Sequence, residues 1–207
     1  MRRLTLVVLV ALAGCAGSDN SADSDEQAPG STQVGATQET GASPSAVGAR
    51  DLDGWTPRGE ATWTVEDGAF TPVVESGRGF LVSNESYEDF RLTVEFWVDD
   101  TANGGVFLRV PESGEIDQFN SFEVNIFDAH ADWPTGSINE IQRTTAPESA
   151  GQWNTFEITA EGDRVTVSLN GESVVDARGE RQPRGHIALQ YNGSGSIRYR
   201  NVEVQPL

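Results

Sequence analysis

The last third of the chain consists of short segments in which apolar and polar residues alternate, with Gly or Asn turns between them. The clearest of these segments are 152–158, 168–171, 185–190 and 200–202. Alternation with a period of two is the pattern of half-buried strands, and turn residues between such runs favour antiparallel connections. No stretch keeps a helical period for three turns. The pattern therefore predicts an all-β chain, folded as a two-sheet antiparallel β-sandwich or jelly roll.

Further strands are expected upstream, and their alternation predicts which residues form the core. Expected strands lie around 63–66, 80–82, 91–98, 105–110, 121–127, 153–160, 164–169, 185–191 and 196–205. On two of them the apolar set is continuous and should face inward: Leu92, Val94, Phe96 and Val98, then Val165, Val167 and Leu169. The segment 128–150 reads as a loop. Loops of that length in a compact domain are usually functional or mobile.

The first fifty residues read as an export signal and a tether. Met1, Arg2 and Arg3 form a positive start, and the apolar run 4–11 is too short to span a bilayer. The run ends in Leu-Ala-Gly-Cys, a bacterial lipobox whose Cys15 would carry the lipid. Residues 16–50 contain no aromatic residue and are predicted to be a disordered tether. We therefore expect a signal in 1–15 and a domain in 51–207, anchored by lipid in the bacterial cell envelope, at the outer membrane or cell surface.

The charge of the chain excludes two classes of partner. It carries 14 basic and 32 acidic residues, which gives a formal net charge of −18. So acidic a surface repels nucleic acid and anionic membranes. We therefore expect no nucleic-acid ligand, and contact with a membrane only through the lipid anchor.

Three strands that follow one another along the chain are predicted to carry polar side chains on one common face. If the apolar residues face the core, the opposite face carries Glu95 and Trp97, Phe107 and Arg109, Glu123 and Asn125. Aromatic rings cover the apolar face of a sugar ring, while guanidinium, carboxylate and amide groups bond its hydroxyls. The face is thus a candidate sugar platform. The alternative is a solvated outer surface with a few weak ion pairs.

Two loops hold other candidate groups. Glu115 and Asp117 lie in a Glu-Ile-Asp sequence like that of laminarinase-type glucanases, but Asn120 stands where those enzymes have a second catalytic carboxyl. Asp128, His130 and Asp132 have a spacing that suits a divalent cation, although a solvated acidic loop has the same composition. His186 precedes a core strand and is expected to bond a neighbouring strand.

From residue 55 to residue 207 the chain resembles the 3-keto-disaccharide hydrolase domain family. The matching pieces occur in order: 63–68, 79–81, 87–90, the Asn-Gly-Gly-Val-Phe-Leu-Arg-Val run 103–110, 122–124, Asp128, 135–136, 151–154, 170–171, 185–190 and 200–202. The resemblance implies a concanavalin-like jelly roll, an exported setting, and an oligosaccharide or keto-sugar ligand on the concave sheet.

The resemblance also implies a reaction. A ketone at C3 of a glycoside acidifies the C2 proton, so a base can remove it, the C1 leaving group departs, and water then adds. Such a route needs a tuned base and a positive charge near the enediolate. With the predicted common face, the resemblance points to Glu123 as base, Arg109 as stabiliser, and Asp128, with His130 and a divalent metal ion, as a helper. The sugar-binding candidates are Trp97, Asn103, Asn125, Gln190 and Asn192.

The chain departs from the family at two positions, and two other functions stay open. The family often has Arg where Trp97 stands, and Asp-His-Gly where this chain has Tyr191, Asn192 and Gly193. A non-catalytic carbohydrate-binding surface lipoprotein would bind sugar without turnover. A structural envelope lipoprotein would bind no small ligand.

Overall fold

A computed structural model describes residues 45–47, 51–73, 77–145 and 148–207, with the backbone alone given for 45–47. Cys15 and the predicted signal 1–15 lie outside the described residues, as does the predicted tether apart from 45–47. No helix long and apolar enough to cross a membrane occurs in the part of the chain that the structure describes.

The described residues form strands and connecting loops, as the alternation predicts. The strands are β1 Ser45–Val47, β2 Trp55–Gly59, β3 Trp63–Glu66, β4 Ala69–Pro72, β5 Arg78–Tyr87, β6 Phe90–Val98, β7 Gly104–Val110, β8 Phe122–Ile126, β9 Trp153–Glu161, β10 Arg164–Leu169, β11 Glu172–Arg178, β12 Gly185–Asn192 and β13 Ile197–Pro206. Strands β2, β4 and β11 are not among the expected strands. Strand β1 lies inside the range assigned to the tether, and it pairs with β13.

The strands form two antiparallel sheets. The larger sheet has the order β11-β10-β9-β6-β13-β4-β3, with β1 also on β13, and the smaller has the order β2-β5-β12-β7-β8. The prediction of an all-β antiparallel sandwich is confirmed. Strands β6 and β7, consecutive in the sequence, lie in different sheets.

One apolar core is built from the inward faces of both sheets. Leu92, Val94, Phe96 and Val98 all belong to it, as predicted, and so do Val165, Val167 and Leu169. The five-stranded sheet contributes alternate residues to the same core, which are Leu81, Val106, Leu108, Val124 and Leu189. The residues between them must therefore point to the outer face of that sheet.

A second, smaller apolar cluster lies on this outer face. Phe80, Val82, Phe107, Val110 and Ala188 form it, and Ile116 joins them from the loop 111–121 between β7 and β8. That loop therefore folds back over the outer face. Glu115 and Asp117 lie in it and not on a strand, which agrees with the loop expected there.

The predicted common face is wrong for Glu95 and Trp97. Both residues lie on β6, in the eight-stranded sheet, whereas Phe107 and Glu123 lie in the other sheet. Trp97 faces away from the core, where the Arg198 guanidinium stacks 4.5 Å from its ring centroid. The prediction fails because it treats strands adjacent in sequence as adjacent in space, while the chain crosses between sheets after β6.

Candidate functional site

Two rows of side chains cross the outer face of the five-stranded sheet. The pairing register aligns five residues in the first row, Arg58, Phe80, Gln190, Gly105 and Asn125. It aligns Thr56, Val82, Ala188, Phe107 and Glu123 in the second. The expectation that Phe107, Glu123 and Asn125 share a face is confirmed, and Gln190 lies on that face with them.

Glu123 is the buried acid of this face, with 6% of its surface exposed. Burial raises its pKa to about 7, although a hydrogen bond from the Asn139 side chain and the positive charge of Arg78 act in the opposite direction. Its carboxyl leans over β7, because a Cβ added to Gly105 would lie 3.4 Å from both Cγ and Oε1 of Glu123. A carboxyl group with a pKa near neutrality can accept and return a proton at physiological pH.

The neighbouring row holds two amides, Asn125 on the same strand as Glu123 and Gln190 two strands away, across Gly105. Gln190 is 3% exposed, and its Oε1 makes no hydrogen bond within the described part of the molecule. A buried acceptor without a partner costs free energy, so it marks a position where a ligand hydroxyl would be favourable. The Asn125 side chain is already used, since its Nδ2 donates to the Trp133 carbonyl.

A cleft of about 520 Å³ opens beside this group. Arg58, Arg78 and Phe80 form its floor on the sheet, and residues 114–118 of the β7–β8 loop form the opposite wall. Glu123 does not line the cleft itself. Arg78 links the cleft to Glu123, because Arg78 lines the cleft and its positive charge acts to lower the pKa of Glu123.

Two contacts fasten the β7–β8 loop over the sheet. The Arg58 guanidinium donates to the carbonyl of Pro111, at 2.9 Å, and to that of Glu112. His186 bonds the neighbouring strand β5, as expected, with Nδ1 2.8 Å from the Ser83 carbonyl. Its Nε2 lies 2.6 Å from the Glu112 carboxylate. The wall of the cleft is thus held by β2 and β12.

The structure corrects the placement of Arg109. A bulge interrupts β7 at Arg109, which has a φ of 57°. Between the pairs Phe107–Ala188 and Val110–His186, β7 advances by three residues while β12 advances by two. The extra residue breaks the alternation, so Phe107 and Val110 both face outward and Arg109 turns away from them. Its guanidinium, 2% exposed, binds the Glu88 carbonyl, the Gly162 carbonyl and the Asp89 carboxylate at 2.5–3.2 Å. Arg109 therefore joins two turns and does not face the Glu123 carboxyl.

Asp128 and His130 do not fit a metal site. The Asp128 carboxylate accepts hydrogen bonds from Thr135 Oγ1, Ser149 N and Oγ, and Ala150 N, at 2.5–3.1 Å. The His130 Nδ1 accepts backbone N–H groups within its own turn. No group of three or more His, Cys, Asp or Glu side chains able to hold a metal occurs among the residues that the structure describes. Asp128 closes the long loop instead.

Asn103 and Asn192 meet at the end of the sheet, where the Asn192 N–H donates to the Asn103 carbonyl at 3.1 Å. Neither residue lines the cleft at Arg58 and Arg78. Sequence reasoning missed those two arginines and Asn139. The signal for Arg78 was present, because alternation from Phe80 back along β5 puts Arg78 on the same face. Asn139 could not be found this way, since it lies in the irregular loop 128–150.

The fold is shared with proteins of known structure. A candidate glycosyl hydrolase of Parabacteroides distasonis ATCC 8503 is 21% identical, with a TM-score of 0.68 over 80% of this chain and 100% of that one. The carbohydrate-binding module CBM66 of Bacillus subtilis is 20% identical, with a TM-score of 0.60 over 73% of this chain and 95% of that one. At this level of identity the likeness shows a common fold.

Sequence comparison identifies the family. A comparison with curated proteins found no significant match. The model of the 3-keto-alpha-glucoside-1,2-lyase-like domain matches residues 45–205, which includes every described strand of both sheets apart from the last residue of β13. The chain therefore belongs to the 3-keto-disaccharide hydrolase domain family, as its ordered motifs predict.

Proposed function

We propose that this protein cleaves 3-keto-glycosides on the outer face of the five-stranded sheet, with Glu123 as the general base. The observation that carries the proposal is the buried Glu123 carboxyl, whose pKa is raised to about 7 and which leans over Gly105, the register partner of Gln190 with its unpartnered Oε1. Membership of the family supports the reaction class. Structural relatives that include a candidate glycosyl hydrolase and a carbohydrate-binding module support a sugar ligand.

The proposed reaction begins at the carbon next to the ketone. Ionised Glu123 takes the C2 proton, and the electron pair left on C2 is delocalised onto the C3 oxygen as an enediolate. That pair then forms the C1–C2 double bond while the C1–O bond breaks, and the leaving oxygen takes a proton from solvent. Addition of water across the double bond gives the free 3-keto sugar. No oxocarbenium ion forms, so a second catalytic carboxyl is not required.

The positive charge near the enediolate is assigned to Arg78 in place of Arg109. Arg78 lies on the outer face, two residues before Phe80, and its charge already acts on Glu123. The charges of Arg109 and Asp89 are engaged with each other at the end of the sheet. A guanidinium close to the site where negative charge develops stabilises that charge.

One observation favours binding without catalysis as a second candidate. Where the family often has histidine, this chain has Asn192, an exposed amide that cannot transfer a proton. If the reaction needs a proton transfer from the residue at position 192, the outer face of the five-stranded sheet would bind a sugar without cleaving it. The alternative is a carbohydrate-binding surface lipoprotein.

The deciding experiment incubates the purified protein with 3-keto-trehalose and follows release of the two sugars, with and without a chelator. We expect wild-type turnover that the chelator does not change. Glu123→Gln should lower kcat by at least about 10²-fold, the scale of a lost general base. Glu157→Gln, which removes an exposed carboxylate on β9, is the matched control and should keep full activity. Full activity in Glu123→Gln would refute the assignment, and saturable binding without turnover would support the binding module.

We also propose that the protein is exported and held at the cell envelope by a lipid on Cys15. The lipobox sequence that ends at Cys15 supports this location. It would place the domain where sugars from outside the cell arrive.

A further inference from the structure

We propose that the cleft between Arg78 and the β7–β8 loop is the subsite for the leaving group of the glycoside, and that it selects a neutral, hydroxyl-rich group such as a second sugar. This inference rests on the proposed function, because it assumes that the C2 proton is removed at Glu123. The volume of about 520 Å³ lies within the range of small-molecule sites.

The position of the cleft follows from the strand order. Phe80 and Arg78 lie on β5, and Glu123 lies on β8, with β12 and β7 between them. Three strand spacings separate β5 from β8, or roughly 14 Å. The Glu123 carboxyl leans over Gly105 of β7, which shortens this path. A glycoside lying across the strands, with C2 at Glu123, would therefore extend past Gln190 and place its other end in the cleft.

The chemistry of the lining indicates which leaving groups would fit. Two guanidinium groups supply donors, and the carboxylates of Glu60, Glu115 and Asp117 supply acceptors. Hydroxyl groups both donate and accept, so a polyol can satisfy both sets at once. An anionic group would meet three carboxylates, and an apolar group would leave the charges without partners. The Phe80 ring does not offer a free stacking surface, since the Arg78 guanidinium lies 5.6 Å from its centroid.

Glu115 is the residue best placed to test the subsite. Its carboxylate makes no hydrogen bond or ion pair with any other residue that the structure describes, although it lines the cleft. Arg58 and Asp117 are less suitable, because both have structural bonds. Arg58 holds the loop at Glu112, and Asp117 accepts the N–H groups of Phe119 and Asn120. The Gln118 side chain also lines the cleft, while only its backbone carbonyl is bound elsewhere, by Arg181.

The experiment compares two substrates that differ only in the leaving group. 3-keto-trehalose carries a second glucose, and methyl 3-keto-alpha-glucoside carries a methoxy group too small to reach the cleft. In the full-length protein, Glu115→Gln should raise KM for 3-keto-trehalose about tenfold, the effect of one hydrogen bond to a charged group. The KM of the Glu115→Gln variant for the methyl glycoside should stay within twofold of the wild-type value. Gln118→Ala should show the same selectivity with a smaller effect, and Glu157→Gln should change neither substrate.

The outcomes separate the two proposals. Equal losses on both substrates, or no loss on either, would overturn the leaving-group subsite while leaving the base assignment intact. Failure of the wild-type protein to cleave either substrate would contradict the proposed function, and the subsite would fall with it. Both variants change surface side chains, and a melting temperature equal to that of the wild type would confirm that they fold.

Discussion

Glu123 and Arg109 are both buried charged residues, but their neighbours leave them with different chemistry. Arg109 meets two carbonyls and the Asp89 carboxylate, so its charge is fully used in holding the structure. Glu123 has only the Asn139 amide and the more distant charge of Arg78 to stabilise its ionised form. A carboxyl so weakly compensated is unfavourable for stability and favourable for proton transfer.

The raised pKa of Glu123 predicts a pH-dependent loss of stability. The folded protein holds this proton up to about pH 7, whereas an ordinary glutamate releases it near 4.5. Ionisation therefore destabilises the fold progressively as pH rises through this window, by about 3 kcal/mol once complete. In Glu123→Gln this loss should be absent, so the free energy of unfolding of the variant relative to wild type should rise by that amount between about pH 4 and pH 8.

Urea unfolding at a series of pH values measures this difference. Glu157→Gln, an exposed substitution of the same type, should give a nearly constant difference across the range. A pH-independent difference for Glu123→Gln would show that the carboxyl is not buried as described. The same pKa predicts that kcat/KM rises with pH and levels off above about 7, as the base becomes ionised.

At the scale of the elements, alternation predicts side-chain faces correctly until a bulge interrupts it. On β6 and β8 the period of two holds from end to end, so Phe96 faces the core and Glu123 faces outward. On β7 one extra residue at Arg109 reverses the phase, and nothing in the local sequence announces it. The error in the predicted placement of Arg109 follows from that single residue, because a one-residue shift moves a side chain from one face of a sheet to the other.

Arg109 is therefore predicted to act on stability and not on the chemical step. Arg109→Met removes the donors that hold the β5–β6 turn at Glu88 and the β9–β10 turn at Gly162. Because the Asp89 carboxylate is partly exposed, the main loss is that of the hydrogen bonds from a charged, buried guanidinium, which should lower the free energy of unfolding by about 3 kcal/mol. Arg91→Met, at an exposed position on β6, should cost much less. Assayed well below its melting temperature, Arg109→Met should keep the wild-type kcat on 3-keto-trehalose, and a loss of kcat in a folded variant would contradict this role.

At the scale of the whole molecule, the fold class could be predicted from the sequence and the strand order could not. Turn residues and alternation are local signals, so they predict strands and a sandwich. The pairing of strands far apart in the sequence depends on packing between sheets. Trp97 was therefore assigned to the wrong sheet, while Arg58 and Arg78 were missed, although the sheet brings them together from β2 and β5. Half of the predicted face, Phe107, Glu123 and Asn125, could be found because the alternation holds along β8 and along β7 as far as Phe107.

The proposed location of the protein depends on residues outside the β-sandwich, and it predicts how a cysteine variant should behave. Cys15 ends the Leu-Ala-Gly-Cys sequence, and the proposed anchor needs its sulfur, which would form a thioether bond to the lipid. Expressed in a bacterial host, the wild-type protein should partition into the detergent phase and incorporate a labelled fatty acid. Cys15→Ser should abolish both and leave the activity of each molecule unchanged, because the cleft and Glu123 lie far along the chain in the β-sandwich.

Ser18→Ala, three residues beyond the cysteine, is the control and should remain membrane-bound. Labelling that persists in Cys15→Ser would rule out this anchor, since the chain has no other cysteine to carry it.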